Sequence, residues 1–243
     1  MIKIDLPNIS MAKNAGAHPY PFQIAYQAEQ FIQGAIFYAS IADISSGNYF
    51  RQTNSIEELR EQFIAGGGEL STWDEGWQIL DRYKDIFKIT VFQNVLVAIN
   101  SHWDWYIRNL GNFVSFARQY VPGPALSRKE ENDLNRIGFL SILNQITILE
   151  KGSGIKFGIS SNVLEDIKEM TLVRNLALHN RWEIDQIYMD ESKIARTHDW
   201  KVGELRIFAK DELFSWRNSL IRTIKETREN IAIKFGKAPI FPT

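Results

Sequence analysis

Cysteine is absent from the 243 residues, which removes disulfides, thiol nucleophiles and cysteine-ligated zinc from the possible chemistry. An excess of one charge sign is missing as well: 28 Lys and Arg stand against 29 Asp and Glu, a formal net charge of −1. Bulk charge therefore does not announce a nucleic-acid binder, and any basic surface has to be local. Long apolar runs are also lacking. The most apolar stretch, IFKITVFQNVLVAINSHWDWYI, is broken by Lys88, Gln93, Asn94, Asn100, His102 and Asp104, more polar groups than a bilayer span tolerates. The opening MIKIDLPNISMAKN has neither the continuous apolar segment nor the small-residue cleavage site of a signal peptide. Together these absences predict a soluble, cytoplasmic protein with no membrane partner. Histidines number only four, and no pair has metal-ligand spacing with supporting carboxylates, so neither metal nor other cofactor is expected.

What the chain does contain is ordinary globular material, 44% hydrophobic and 23% charged, long enough to bury roughly 70–75% of its unfolded surface. Helix starts are marked by capping-box spacing at Ser55…Glu58, Thr72…Glu75 and Ser127…Glu130, with a weaker form at Asn162…Glu165. Glycine and proline clusters at 65–72 (AGGGELST) and 121–127 (VPGPALS) break the periodicity and read as turns between helices. The pattern predicts helices near 20–44, 56–65, 73–84, 86–118, 128–150, 162–180 and 211–234. In 86–118, Phe92, Leu96, Ile99, Trp103, Tyr106, Leu110, Phe113 and Ala117 form one apolar stripe. Leu213, Trp216, Leu220, Ile224, Thr227 and Ile231 do the same in the last helix. Between 184 and 210, IDQIYMD and VGELRIFA alternate with period two, which predicts a short β-hairpin or two extended arms. The expected fold is mainly α. It is an antiparallel helical bundle over 86–243 with this short β excursion, preceded by a helical extension over 1–85 that packs on the bundle.

The segment TLVRNLALHNRWEID, residues 171–185, sets Arg174, Asn175, His179 and Asn180 into an apolar run. On a helix, positions four apart share a face and positions five apart diverge by about 140°. Asn175 and His179 are thus expected on one face, with Arg174 directed at a packed neighbour. Histidine exchanges a proton near neutrality, and the arginine fork matches phosphate oxygens. Such a pair, without a carboxylate cluster or a thiol, suits attack of a ribose 2′-OH on the adjacent phosphate, with His179 as base or acid and Arg174 holding the developing negative charge. A plainer reading is open too. His179 and Asn180 suit a helix C-terminus, where the dipole favours His and Asn tolerates the left-handed position. Arg174 would then form a structural bridge with Glu169 or another acid.

RNLALH, an arginine, four residues and a histidine, with a polar residue directly after the arginine, resembles the R-x4-6-H motif of HEPN domains. The likeness extends over about 86–234: a long early helix, the motif late in the bundle, a short extended piece, then a final amphipathic helix. The resemblance implies a metal-independent endoribonuclease acting as a homodimer, with motif helices of two subunits lining one cleft. Arg174 and His179 would be the catalytic pair and Asn175 the accompanying polar residue. It further implies RNA as substrate, an antitoxin or other inhibitor as a possible partner, and a role in toxin–antitoxin, phage-defence or stress systems. Some members of the superfamily are instead inactive nucleotide-binding or assembly modules.

Around the motif, Asn180, Arg181 and Trp182 are candidate substrate contacts, with Trp182 able to stack on a base or contact a second subunit. Lys156, in the glycine-rich KGSGIKFG at 151–158, is a further candidate. That segment lacks the GK[ST] ending of a phosphate-binding loop and reads as a flexible lead into the motif helix. Among the other histidines, His102 stands beside Asp104 and Arg108 in an expected interhelical polar network. His18 falls in a loop, and His198 in the polar stretch RTHDWK.

Overall fold

The computed structural model describes residues 16–51, 60–239 and 241. Helix α1 spans Pro19–Arg51 and α2 spans Leu70–Ala117. They are followed by α3 (Arg128–Asn135), α4 (Ile142–Ser153), α5 (Ser161–His179), the short α6 (Gln186–Glu191) and α7 (Lys210–Lys234). Single 3-10 turns occupy Ile137–Phe139 and Ala195–Thr197. The fold is mainly helical, and no strand occurs among the described residues.

Helix α2 is the central element. It packs against α1, α4, α5 and α7, while α7 also packs against α1 and α5. Its stripe from Phe92 to Ala117 is buried at every position named from the sequence, and so is the α7 stripe from Leu213 to Ile231. Helix α1 contributes Tyr20, Ile24, Ala28, Ile32, Ile36 and Ala39, spaced three or four apart, to the same core. Polar contacts fix the register of these helices. The Trp103 indole N–H donates to Gln145 Oε1 on α4 at 3.0 Å, and Tyr106 meets Thr227 of α7 at 2.8 Å. Arg228 of α7 pairs with Glu29 of α1 at 2.6 Å.

Helix α2 runs for 48 residues, about 70 Å at 1.5 Å per residue. It continues without interruption through 85/86, where the sequence suggested separating an extension from a bundle. Its N-cap is Glu69, so Thr72 lies inside the helix and does not cap it. The Ser55…Glu58 spacing lies outside the described residues. The capping box at Ser127 forms as expected, with the Ser127 hydroxyl accepting from the Glu130 N–H and the carboxylate accepting from the Ser127 N–H. Lys151 adds an ion pair at 2.7 Å. Its hydrogen bond and those of Ser127 hold the Glu130 carboxyl down at about 2. Helix α5 begins one residue before Asn162, with Ser160 as its N-cap.

The continuous helix expected over 128–150 is divided. After α3 the chain makes the 3-10 turn at Ile137–Phe139, and Leu140 is extended before α4 begins. Two glycines account for the break. Gly138 weakens a helix by roughly 1 kcal/mol relative to alanine. Gly111 on α2 lets Ile137 come so close that a Cβ there would stand 2.7 Å from the isoleucine Cγ2. Burial of Ile137 in that notch offsets the lost helical hydrogen bonds.

The excursion after α5 also departs from expectation. Residues 186–191, read as extended from their alternation, form α6, capped by Asp185 accepting from the Tyr188 N–H at 2.7 Å. Only one antiparallel bridge, Glu183 with Leu205, joins the two arms. Side chains hold the excursion in place. Glu169 of α5 accepts from Tyr188 at 2.5 Å and from Ser192 at 2.6 Å. Arg206, 1% exposed, donates to Tyr188 and to Glu212 of α7 and lies over the Trp200 ring. Alternation over so few residues could not distinguish a strand from a helix with one buried face.

Candidate active site

Helix α5 carries the motif along its last two turns. Val173 and Leu176 turn into the core, which sends Arg174 and Asn175 toward α2 and leaves the end of the helix to solvent. Arg174 donates to Asp104 Oδ2 on α2 at 2.8 Å and to Asn175 Oδ1 at 3.0 Å. Both charged partners keep about a quarter of their side-chain surface accessible, 22% for Arg174 and 25% for Asp104. Burial pushes the Asp104 carboxyl above its ordinary value, against the pull of Arg174 and Arg108.

These groups line a cleft of about 570 Å³, within the ~300–1,000 Å³ that small-ligand sites occupy. Asn100, Asp104 and Arg108 of α2 form one wall, and Lys168, Thr171, Arg174 and Asn175 of α5 the other. The 3-10 turn and the start of α4 close one side. Lys168 is partly neutralised by Glu191 at 3.8 Å. Two permanent guanidinium charges and amide groups can bind an anion beside one carboxylate whose pKa is raised by burial.

His179 does not line this cleft. It is the last residue of α5 and is exposed. The separation expected between Arg174 and His179 is thus present. Asn175, placed by helical spacing on the face of His179, accepts from Arg174 with its side-chain oxygen instead. Glu169, considered as the partner of Arg174, belongs to the Arg206 network, and Asp104 takes the arginine.

Asn180 caps the helix and its side-chain amide donates to Asp185. The next two residues have positive φ, 51° at Arg181 and 71° at Trp182, a left-handed conformation that L residues with a Cβ resist. They reverse the chain so that the Trp182 N–H returns to the Leu176 carbonyl at 3.0 Å. Trp182 packs on the core near Phe208, whereas Arg181 is exposed. Lys156 lies at the opposite end of α5, paired with Glu150 at 2.7 Å beside Pro124 and Gly154. It is not brought together with Arg174.

The remaining histidines are accounted for by packing. His102 stacks on Phe31 at 4.5 Å, and His198 stacks on Trp200 at 4.4 Å. His18 is buried. Its Nδ1 accepts from the Tyr20 N–H, so Nε2 carries the proton donated to the Pro239 carbonyl at 3.0 Å. Three cleft residues had little signal in sequence. Asp104 and Arg108 were visible as a polar pair one turn apart, but nothing local linked them to position 174, and Phe139 had no periodic neighbours to mark it. Among the described residues, no group of three or more His, Asp or Glu is placed to hold a metal ion, and no helix is long and apolar enough to cross a membrane. No protein-family model matches the chain, and no curated protein or solved structure matches it either.

Proposed function

We propose that the chain is a metal-independent endoribonuclease of HEPN type that works as a homodimer. The observation that carries this reading is that all three motif residues stay within reach of a ligand. Arg174 and Asn175 line an open cleft, and His179 stands in solvent one turn further on. In the reaction, His179 takes the proton of a ribose 2′-OH while the 2′ oxygen bonds to the adjacent phosphorus. The bond from phosphorus to the 5′ oxygen breaks, and that oxygen receives a proton from a histidine acting as acid. The products are a 2′,3′-cyclic phosphate and a 5′-hydroxyl. Arg174 holds the charge that builds on the phosphate oxygens. A second copy of α5 supplies the convergence of arginine and histidine that one straight helix lacks. RNA is the substrate, and toxin–antitoxin, phage-defence or stress response in the cytoplasm is the setting, with an antitoxin or inhibitor as a further partner.

The test is cleavage of RNA by the purified protein in EDTA, repeated with His179→Ala and Arg174→Ala. Loss of cleavage in both variants, with folding intact, supports the assignment. Cleavage that survives both removes it.

A second reading is supported by the ion pair itself. Arg174 already has partners in Asp104 and Asn175, as it would in an inactive HEPN module that binds a nucleotide or a partner protein. Under that reading no RNA is cut, and Arg174→Ala lowers the melting temperature without affecting any activity.

A further inference from the structure

Phe139 is 74% exposed, yet it does not project from a loose loop. It ends the 3-10 turn Ile137–Phe139. Ile137 is buried in the notch at Gly111, and Leu140 packs on the core on the other side. The ring is therefore held out at the rim of the Arg174 cleft by anchored neighbours on both sides. Two guanidinium groups lie over it, with the Cζ of Arg108 5.2 Å and that of Arg136 5.6 Å from the ring centroid. Neither arginine forms an ion pair among the described residues, although both are exposed. Gly138 makes the arrangement possible, because a Cβ there would overlap the Arg108 side chain.

An exposed aromatic ring with two guanidinium groups over it, neither in an ion pair among the described residues, is matched by a flat ring system that carries negative charge on both sides. A base in a single strand of nucleic acid has that form: its face stacks on the ring and its flanking phosphates meet the arginines. Arg108 also lines the cleft that holds Arg174, so a strand seated on Phe139 is led toward the motif. We propose that Phe139, with Arg108 and Arg136, is a stacking site for one base of single-stranded RNA at the cleft rim. The choice of RNA rests on the ribonuclease reading, while the stacking and charge contacts do not require cleavage.

The test uses the full chain and a fluorescein-labelled dodecamer of 2′-O-methyluridine, which lacks the attacking hydroxyl and separates binding from cleavage. Phe139→Ala is expected to weaken binding roughly 5- to 150-fold, as loss of one stacked base does, and Phe139→Trp to retain it. The double variant Arg108→Gln/Arg136→Gln is expected to reduce the slope of log affinity against log salt by about 1.4, about 0.7 for each lost phosphate contact. Gly138→Ala, which displaces Arg108 without removing its charge, is expected to weaken binding as well. Circular dichroism checks that each variant is folded. Absence of binding by the unaltered protein, or binding and salt slope unchanged by the Phe139 and arginine substitutions, overturns the proposal. Binding that depends on Phe139 in a protein that cuts no RNA keeps this site and removes the ribonuclease reading. Cleavage with binding indifferent to Phe139 does the reverse.

Discussion

Arg174 of α5 and Asp104 of α2, seventy positions apart, meet at 2.8 Å across the wall of the cleft. The carboxylate is held above its ordinary pKa chiefly by burial, so the attraction of Arg174 and Arg108 does not fully offset its lost hydration. The folded state therefore binds this proton more tightly than the unfolded state does. The stability contribution of protonated Asp104 is complete below the unfolded value and is lost as the pH rises through the folded value. Asp104→Asn is thus expected to be at least as stable as the unaltered protein at pH 7, with the gap narrowing as the pH falls toward 4. Thermal melts of both proteins across that range check it, and a wild type more stable at pH 7 contradicts it. Release of Arg174 is also expected to tighten binding of single-stranded RNA.

His179 is exposed, so its removal costs little structure. His179→Ala is expected to change stability by no more than about 0.5 kcal/mol while lowering cleavage about 10²- to 10⁴-fold, the usual range for a lost general acid or base. Single-turnover cleavage in EDTA beside a urea melt separates the two effects.

The Arg206 network is the opposite case. Arg206 and Glu169 are 1% and 5% exposed, and removing one member of such a pair leaves the other charge buried. Arg206→Ala is expected to cost about 3–5 kcal/mol, read as a drop in the urea midpoint. Replacing the exposed Arg196 serves as the control.

Burial lowers the pKa of His18 from its ordinary 6.5, opposed by its bond to the Pro239 carbonyl. The unfolded chain consequently takes up this proton first. The stability that His18 contributes is full above about 6.5 and falls as the pH drops from there through the lower folded value. Unfolding free energies measured between pH 8 and 5 are expected to decline over that window, and the decline is expected to be shallower in His18→Gln.

Arg181 adopts φ 51° with its side chain in solvent. Arg181→Gly is expected to stabilise the fold by about 0.5–1 kcal/mol, since glycine enters this region without the Cβ clash. A denaturant melt reads the gain. If RNA affinity drops in the same variant, the side chain is a substrate contact.

Much of the helical framework was legible because its cause is local. The stripes from Phe92 to Ala117 and from Leu213 to Ile231 are written at helical spacing, and each of those residues is buried. Where the cause is a distant partner, the reading departed from the structure. The division of 128–150 depends on Gly111 of α2 receiving Ile137, and the α6 helix depends on Tyr188 reaching Glu169 and Arg206. At the site, helical geometry placed Arg174 away from His179 but could not supply Asp104. It assigned Asn175 to the histidine because a hydrogen bond between adjacent residues 174 and 175 is set by rotamers, not by spacing.

The buried stripe of α1 shares one hydrophobic core with α2 and α7. Its N-terminal end is tied to the far end of the chain, with the His18 N–H bonded to the Ala232 carbonyl at 2.8 Å. The core therefore does not stop at residue 86, partway along α2: without α1, the α2 and α7 surfaces that it covers would face water. Helix α1 is a wall of the same building, and α5, which carries the cleft residues, packs on the two helices that α1 braces.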